Sequence, residues 1–313
     1  MTVMATRSRQ DRREEVHRLA RRQAGLVTTA QLCALGVTWA ARCAEVAAGR
    51  LVPLGDEVDL VPAVHDLGDP LVTMWSAVLR TSPSAALGGS TALLSAGLTG
   101  WVDDVPHVYV PKSADPRKPP GVRVHETRRW SLEHAAGTGL PRAGPHVAAV
   151  QGAAWAGSLR QAALMLVMPV QQRLCTGEQV RAELLRCRRL PRGRRLRQIV
   201  DDVVDGAHSL GELDLAALGR DHGLPEPERQ SVARGPRGRI YLDARWPEYR
   251  LAVEVDGIHH TWAGVAVDDA LRQNEVTLGR DRVLLIPLLA LRVDPDPFLL
   301  QLARGLRAGG WRG

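Results

Sequence analysis

The sequence predicts a mixed α/β protein of the α+β kind, and three observations carry that expectation. Short, well-capped helical segments before residue 50 give way to two strand-like runs; strands stand among helices in the middle; and the last third places several strands in succession beside helical stretches. A chain of 313 residues is long enough for two or three domains. The composition shifts suggest a helix-and-hairpin domain over 1–63, an α/β middle region with an arginine-rich helical linker over 64–204, and a C-terminal α/β domain over 205–313.

Taken in order, the first helix is charged and runs from Asp11 to Gln23, with Val16, Leu19 and Ala20 as its inner stripe. Gly25 ends it, Thr28 or Thr29 caps a second helix reaching Leu35, and Thr38 caps a third through Ala48. Leu51–Leu54 and Val58–Val61 read as two short strands. Three short helices followed by a hairpin make the plan of a winged helix-turn-helix, whose third helix enters the major groove. Thr38, Trp39, Arg42 and Arg50 are therefore the candidate DNA contacts there, with a packing or protein-contact module as the alternative.

In the middle, Pro70–Arg80 and Ser84–Leu98 read as helices, and His107–Val110 and Val122–Glu126 as strands around a proline-rich loop. Helices follow over Gln151–Leu190. The run Arg186-Cys-Arg-Arg-Leu-Pro-Arg-Gly-Arg-Arg-Leu-Arg197 is a solvated linker or a grip for phosphates.

Bulk chemistry narrows the class. A hydrophobic fraction of 45% supports real cores, and with one Phe and three Tyr their packing rests on Leu, Val and Ala. The net charge of +7 favours polyanionic partners, nucleic acid above all, because each neutralised phosphate releases counterions. Nearly all of the positive charge is arginine; Lys112 and Lys118 are the lysines. Cys33, Cys43, Cys175 and Cys187 show no paired spacing, which argues against zinc and against a disulfide framework. The N-terminus lacks an apolar signal core, and Gln161–Val170 is too short to span a bilayer. A cytoplasmic protein with no membrane partner is expected.

The chemistry concentrates at the C-terminal end. A helix begins near Ser209 and carries Glu212; a strand over Gln230–Ala233 is followed by Arg239–Arg245 and Tyr249–Val255. In the last of these Leu251, Val253 and Val255 alternate with Ala252, Glu254 and Asp256, so both carboxylates project to one side. If the preceding strand pairs antiparallel with it, Asp243 can approach the same spot; ordinary solvent-facing acids on an edge strand are the alternative. Carboxylates so grouped repel one another unless a cation intervenes, and oxygen donors suit Mg²⁺ or Mn²⁺. Such an ion activates water and polarises a phosphoryl oxygen. His260, just beyond Gly257, is a candidate proton shuttle. Arg245 and the triplet Arg272-Gln273-Asn274 are candidate substrate contacts.

The ordered series Leu242-Asp243, Leu251-Ala-Val-Glu254-Val-Asp256-Gly257, His260 and Arg272-Gln273-Asn274 resembles the DUF559 family. That family is a branch of the PD-(D/E)xK endonuclease superfamily, similar to very short patch repair nucleases. Glu212 upstream and Val283-Leu-Leu-Ile-Pro287 downstream fit the same pattern. The resemblance implies a restriction-endonuclease-like core, metal held by Asp243 and Glu254, Glu212 orienting the ion or its water, and DNA hydrolysis in phage defence or repair. Two departures stand out: Asp256 replaces the superfamily's lysine, and Leu285 stands where relatives tend to carry arginine. They keep open a second reading, a non-cutting DNA-binding regulator. The stretch Arg22-Gln-Ala-Gly-Leu-Val-Thr-Thr-Ala-Gln31 resembles the winged helix of AbiEi-type antitoxins, which implies a toxin or other defence protein as partner.

Overall fold

The computed structural model describes residues 9–55, 57–129, 139–187, 189–205, 210–235, 238–256 and 282–313. It is an α+β protein whose chain divides into two compact units, residues 1–148 and 149–313. Among the described residues no helix is long and apolar enough to cross a membrane.

The first unit opens with α1 (Arg9–Arg22), β1 (Leu26–Thr28), α2 (Thr29–Ala34), α3 (Trp39–Ala47) and a hairpin of β2 (Val52–Pro53) and β3 (Val58–Leu60). Strand order is β1-β3-β2, all antiparallel, and the hairpin follows three short helices as the sequence led one to expect. Gly25 makes the turn out of α1 at φ +80°, where a Cβ would press on His65 and Leu60. Thr28 then caps α2 in a capping box, its hydroxyl accepting from the Gln31 amide while the Gln31 side chain accepts from the Thr28 amide. β1 itself is too short to announce itself in the sequence.

Strand β3 is covered on both faces. Val58 and Leu60 pack with Val72 and Trp75 of α4 (Pro70–Thr81), while Val27, Leu32, Leu51 and Val61 form a separate core with Val16 and Ala20 of α1. Asp59 therefore has no solvent to face and is fully buried. Its carboxylate takes two charge-assisted bonds of 2.6 Å from the Arg42 guanidinium.

Beyond α4 the segment expected to be one helix begins instead with a short strand, β4 (Ala86–Leu87), before α5 (Gly89–Ser95). β5 (His107–Pro111) pairs antiparallel with β4 and parallel with β6 (Arg123–Thr127). His107 and His125 stack at 5.1 Å between ring centroids, with Nδ1 and Nε2 3.2 Å apart. Burial pushes the His125 pKa down to about 4, helped by His107 and Arg123, and burial also lowers His107. Both therefore stay neutral in the folded chain while the unfolded chain takes up protons near pH 6.5. Their contribution to stability is complete above about pH 6.5 and is lost as pH falls toward 4. The urea midpoint should drop over that window, and His125→Gln should flatten the drop; equal slopes in both chains would refute the assignment.

The division between units falls within α6 (Pro145–Trp155). In the second unit α7 (Leu159–Gln171), α8 (Gly177–Arg186) and α9 (Gly193–Asp205) precede α10 (Leu210–Asp221). Four strands follow: β7 (Glu228–Gly235), β8 (Gly238–Trp246), β9 (Leu251–Asp256) and β10 (Val283–Pro287), in sheet order β10-β9-β8-β7. β7, β8 and β9 meander antiparallel, whereas β10 pairs parallel with β9. Two helices that the sequence reading did not anticipate, α11 (Leu288–Val293) and α12 (Asp296–Ala308), close the chain. Phe298, Leu299, Leu302 and Leu306 of α12 pack with Leu215 of α10 against Trp246, Leu251, Val253, Leu284 and Ile286. Arg292 of α11 forks onto the buried Asp202 of α9 at 2.7 and 3.2 Å.

Candidate functional site

The acidic residues lie in the four-stranded sheet. One face of β8, β9 and β10 is the core: Ala244 and Trp246, Leu251 and Val253, Leu284 and Ile286 are all buried there. Strand alternation assigns positions 243, 245, 252, 254, 256 and 285 to the opposite face. The β8–β9 register pairs Ala244 with Val253 and Arg245 with Ala252. Continued by one step, that register sets Asp243 across from Glu254. On the other side of β9, Leu285 is the partner of Glu254 and Pro287 the partner of Asp256. On the described side of this register, half-buried Arg245 pairs with small Ala252, and Leu285 is set beside position 254.

In antiparallel strands directly opposed positions sit about 4.5–5.5 Å apart. Asp256, two positions beyond Glu254, belongs to the same face. The side chains of Asp243, Glu254 and Asp256 fall outside the described residues, as does that of Glu212, whose backbone lies in the first turn of α10. His260, Arg272, Gln273 and Asn274 also lie outside them. Among the described residues no group of three His, Cys, Asp or Glu side chains is placed to hold a metal ion.

The candidate DNA contacts of the first unit are fully described, and Arg42 departs from expectation. Thr38 caps α3, its hydroxyl accepting from the Ala41 amide at 3.2 Å. Trp39 is 65% exposed, and its ring lies 4.9 Å below the Arg42 guanidinium. Arg42 does not reach outward: only 7% exposed, it is committed to Asp59. The reason is the coverage of β3, which leaves Asp59 buried and makes α3 supply its counter-charge. Arg50 stays near the surface but bonds Glu45 at 2.5 Å. Arg9 and Arg13 of α1 converge on the same carboxylate at 3.0 and 3.1 Å, drawing the Glu45 pKa down to about 2, with Arg50 the largest influence.

That cluster was not singled out in the sequence, where the first helix was expected to begin at Asp11, beyond Arg9. Its signal was weak: a basic first turn on α1 and one glutamate on α3. The arginine-rich run is likewise partly spent within the protein. Arg192 donates to the carbonyls of Ala156 and Gly157 at 3.2 and 2.9 Å, and Arg197 to that of Cys187 at 3.4 Å.

No family model matches the chain, and no curated protein matches it either. Among solved structures it is similar to the RV2827C protein from Mycobacterium tuberculosis, at 20% identity and a TM-score of 0.40, over 74% of this chain and 91% of that one.

Proposed function

We propose that the chain is a metal-dependent endonuclease that hydrolyses phosphodiester bonds in DNA. The observation that supports this reading is the register of β8 and β9, which on extension by one step opposes Asp243 and Glu254 on the face turned away from the core. Two acidic residues so opposed provide hard oxygen donors of the kind Mg²⁺ and Mn²⁺ take, at ~2.0–2.6 Å. When bound, the ion supplies charge for the phosphoryl oxygen and lowers the pKa of its water.

The chain's own residues do the rest. Asp243 and Glu254 fix the cation's position, Glu212 orients the attacking water, and His260 takes its proton. Arg245, one row from the acidic pair, and Arg272, Gln273 and Asn274 hold the substrate. The family resemblance extends this to phage defence or DNA repair.

A second reading is favoured by one specific feature, Asp256 in the position of the superfamily's lysine. On that reading the protein is a DNA-binding regulator, antitoxin-like, with a nuclease fold that does not cut. It has to bind DNA without Arg42, which is buried on Asp59.

Plasmid DNA incubated with the full chain in Mg²⁺ or Mn²⁺, against EDTA, separates the two. Metal-dependent nicking is expected, and Asp243→Ala or Glu254→Ala should lower it by at least about 100-fold, since the ion's charge stabilisation is worth several kcal/mol. DNA that is bound but left uncut in both metals, with binding indifferent to either substitution, would replace the nuclease reading with the regulator.

A further inference from the structure

Between α1, α3 and the base of the hairpin the first unit holds a cavity of about 530 Å³. Its floor is apolar, made by Val16, Leu32, Leu51 and Val61, all buried. Exposed Arg9, Arg13 and Arg50 and half-buried Arg12 also line it, with Glu45 as the carboxylate among them. We propose that this cavity is a binding site for a small amphipathic organic anion: an apolar body on the floor and one carboxylate, sulfonate or phosphate at the arginines.

Three observations carry the assignment. The volume lies within the roughly 300–1,000 Å³ usual for small-molecule sites. The lining combines buried apolar residues with a cluster in which Arg9, Arg13 and Arg50 converge on Glu45, the pairing of surfaces an amphipathic anion has. The charges do not cancel: Arg9, Arg13 and Arg50 share one carboxylate, which leaves cationic charge in excess where they converge. Guanidinium groups already gathered around one anion are pre-organised for a second, and forked arginine–anion bonds are among the stronger polar contacts. Duplex DNA is the poorer fit, because its phosphates ride on a convex surface and bring nothing apolar to fill the floor.

The site is independent of the acidic row, so its test does not depend on cleavage. The probe is 8-anilinonaphthalene-1-sulfonate, titrated into the full chain by fluorescence, with decanoate as competitor and circular dichroism confirming that each variant is folded. One probe per chain is expected, displaced by decanoate. Ala44→Trp, which fills the cavity from α3, should abolish binding, and Ala41→Phe one turn earlier should do the same should the first variant not fold. Arg13→Gln with Arg50→Gln should weaken the probe by about tenfold or more, the scale of losing charge-assisted bonds. The same pair should leave the neutral analogue N-phenyl-1-naphthylamine unaffected. Non-saturating binding, probe retained after the cavity is filled, or indifference to the arginine changes would overturn the proposal. Displacement by a short DNA duplex but not by decanoate would overturn it too, in favour of a phosphate-backbone surface.

Discussion

Asp59→Ala is expected to destabilise the first unit by about 3–5 kcal/mol, the cost of leaving one member of a buried ion pair uncompensated. Asp59 is fully buried and Arg42 nearly so, and each carboxylate oxygen receives one guanidinium bond of 2.6 Å. Removing the carboxylate strands a largely buried cation beneath the β1-β3-β2 sheet, with the Trp39 ring 4.9 Å away. A loss of that size is comparable to the whole stability of many domains, so urea melts should show this unit unfolding at far lower denaturant. The converse change separates net worth from breakage. Arg42→Met with Asp59→Leu removes both charges and should sit close to the parent, because a well-packed apolar pair replaces a desolvated ionic one at little cost. If Asp59→Ala melts like the parent, the pair does not hold α3 to the sheet.

On the proposed nuclease reading, Asp256→Lys is expected to raise metal-dependent nicking by about 10²-fold, the scale of one well-placed charge at a developing anion. Positions 254 and 256 share a face of β9, so on the proposed nuclease reading the negative charge of Asp256 opposes an approaching phosphate. Lysine reverses that sign at the place where the resembling nucleases carry theirs. Asp256→Asn is the control: it relieves repulsion without supplying a cation, and should gain far less. Rates measured on supercoiled plasmid under identical Mg²⁺ decide the matter. No gain from lysine over asparagine would mean that position 256 lies outside the reacting centre.

Local signals in the sequence were read well where the physics is local. Thr28 and Thr38 announce α2 and α3 because a hydroxyl at the N-cap acts on amides only two or three residues away. The alternation Leu251-Ala-Val-Glu254-Val-Asp256 gives both the strand and its two faces, and the buried Leu251 and Val253 bear this out. What was not legible depends on partners distant in sequence. His107–Pro111 and Arg123–Thr127 read as strands, but nothing local tells that they run parallel, or that Ala86–Leu87 joins them. Arg42 suits an exposed helix face equally well until β3 is seen to be covered on both sides. The sequence places Glu254 and Asp256 on one face of a strand, but only the pairing of Ala244 with Val253 fixes which neighbour that strand has and in what register.

The covered strand has a consequence for inheritance. Val58, Asp59 and Leu60 all lie inside, so β3 has no position at which change is free. Asp59 and Arg42, 17 residues apart, cannot be exchanged one at a time without passing through a chain that holds a buried, unmatched charge. Among descendants of this sequence the two should therefore be kept together or lost together. Position 42 of the helix that a winged-helix reading assigns to DNA is then selected by the interior of the protein, and by no base sequence outside it.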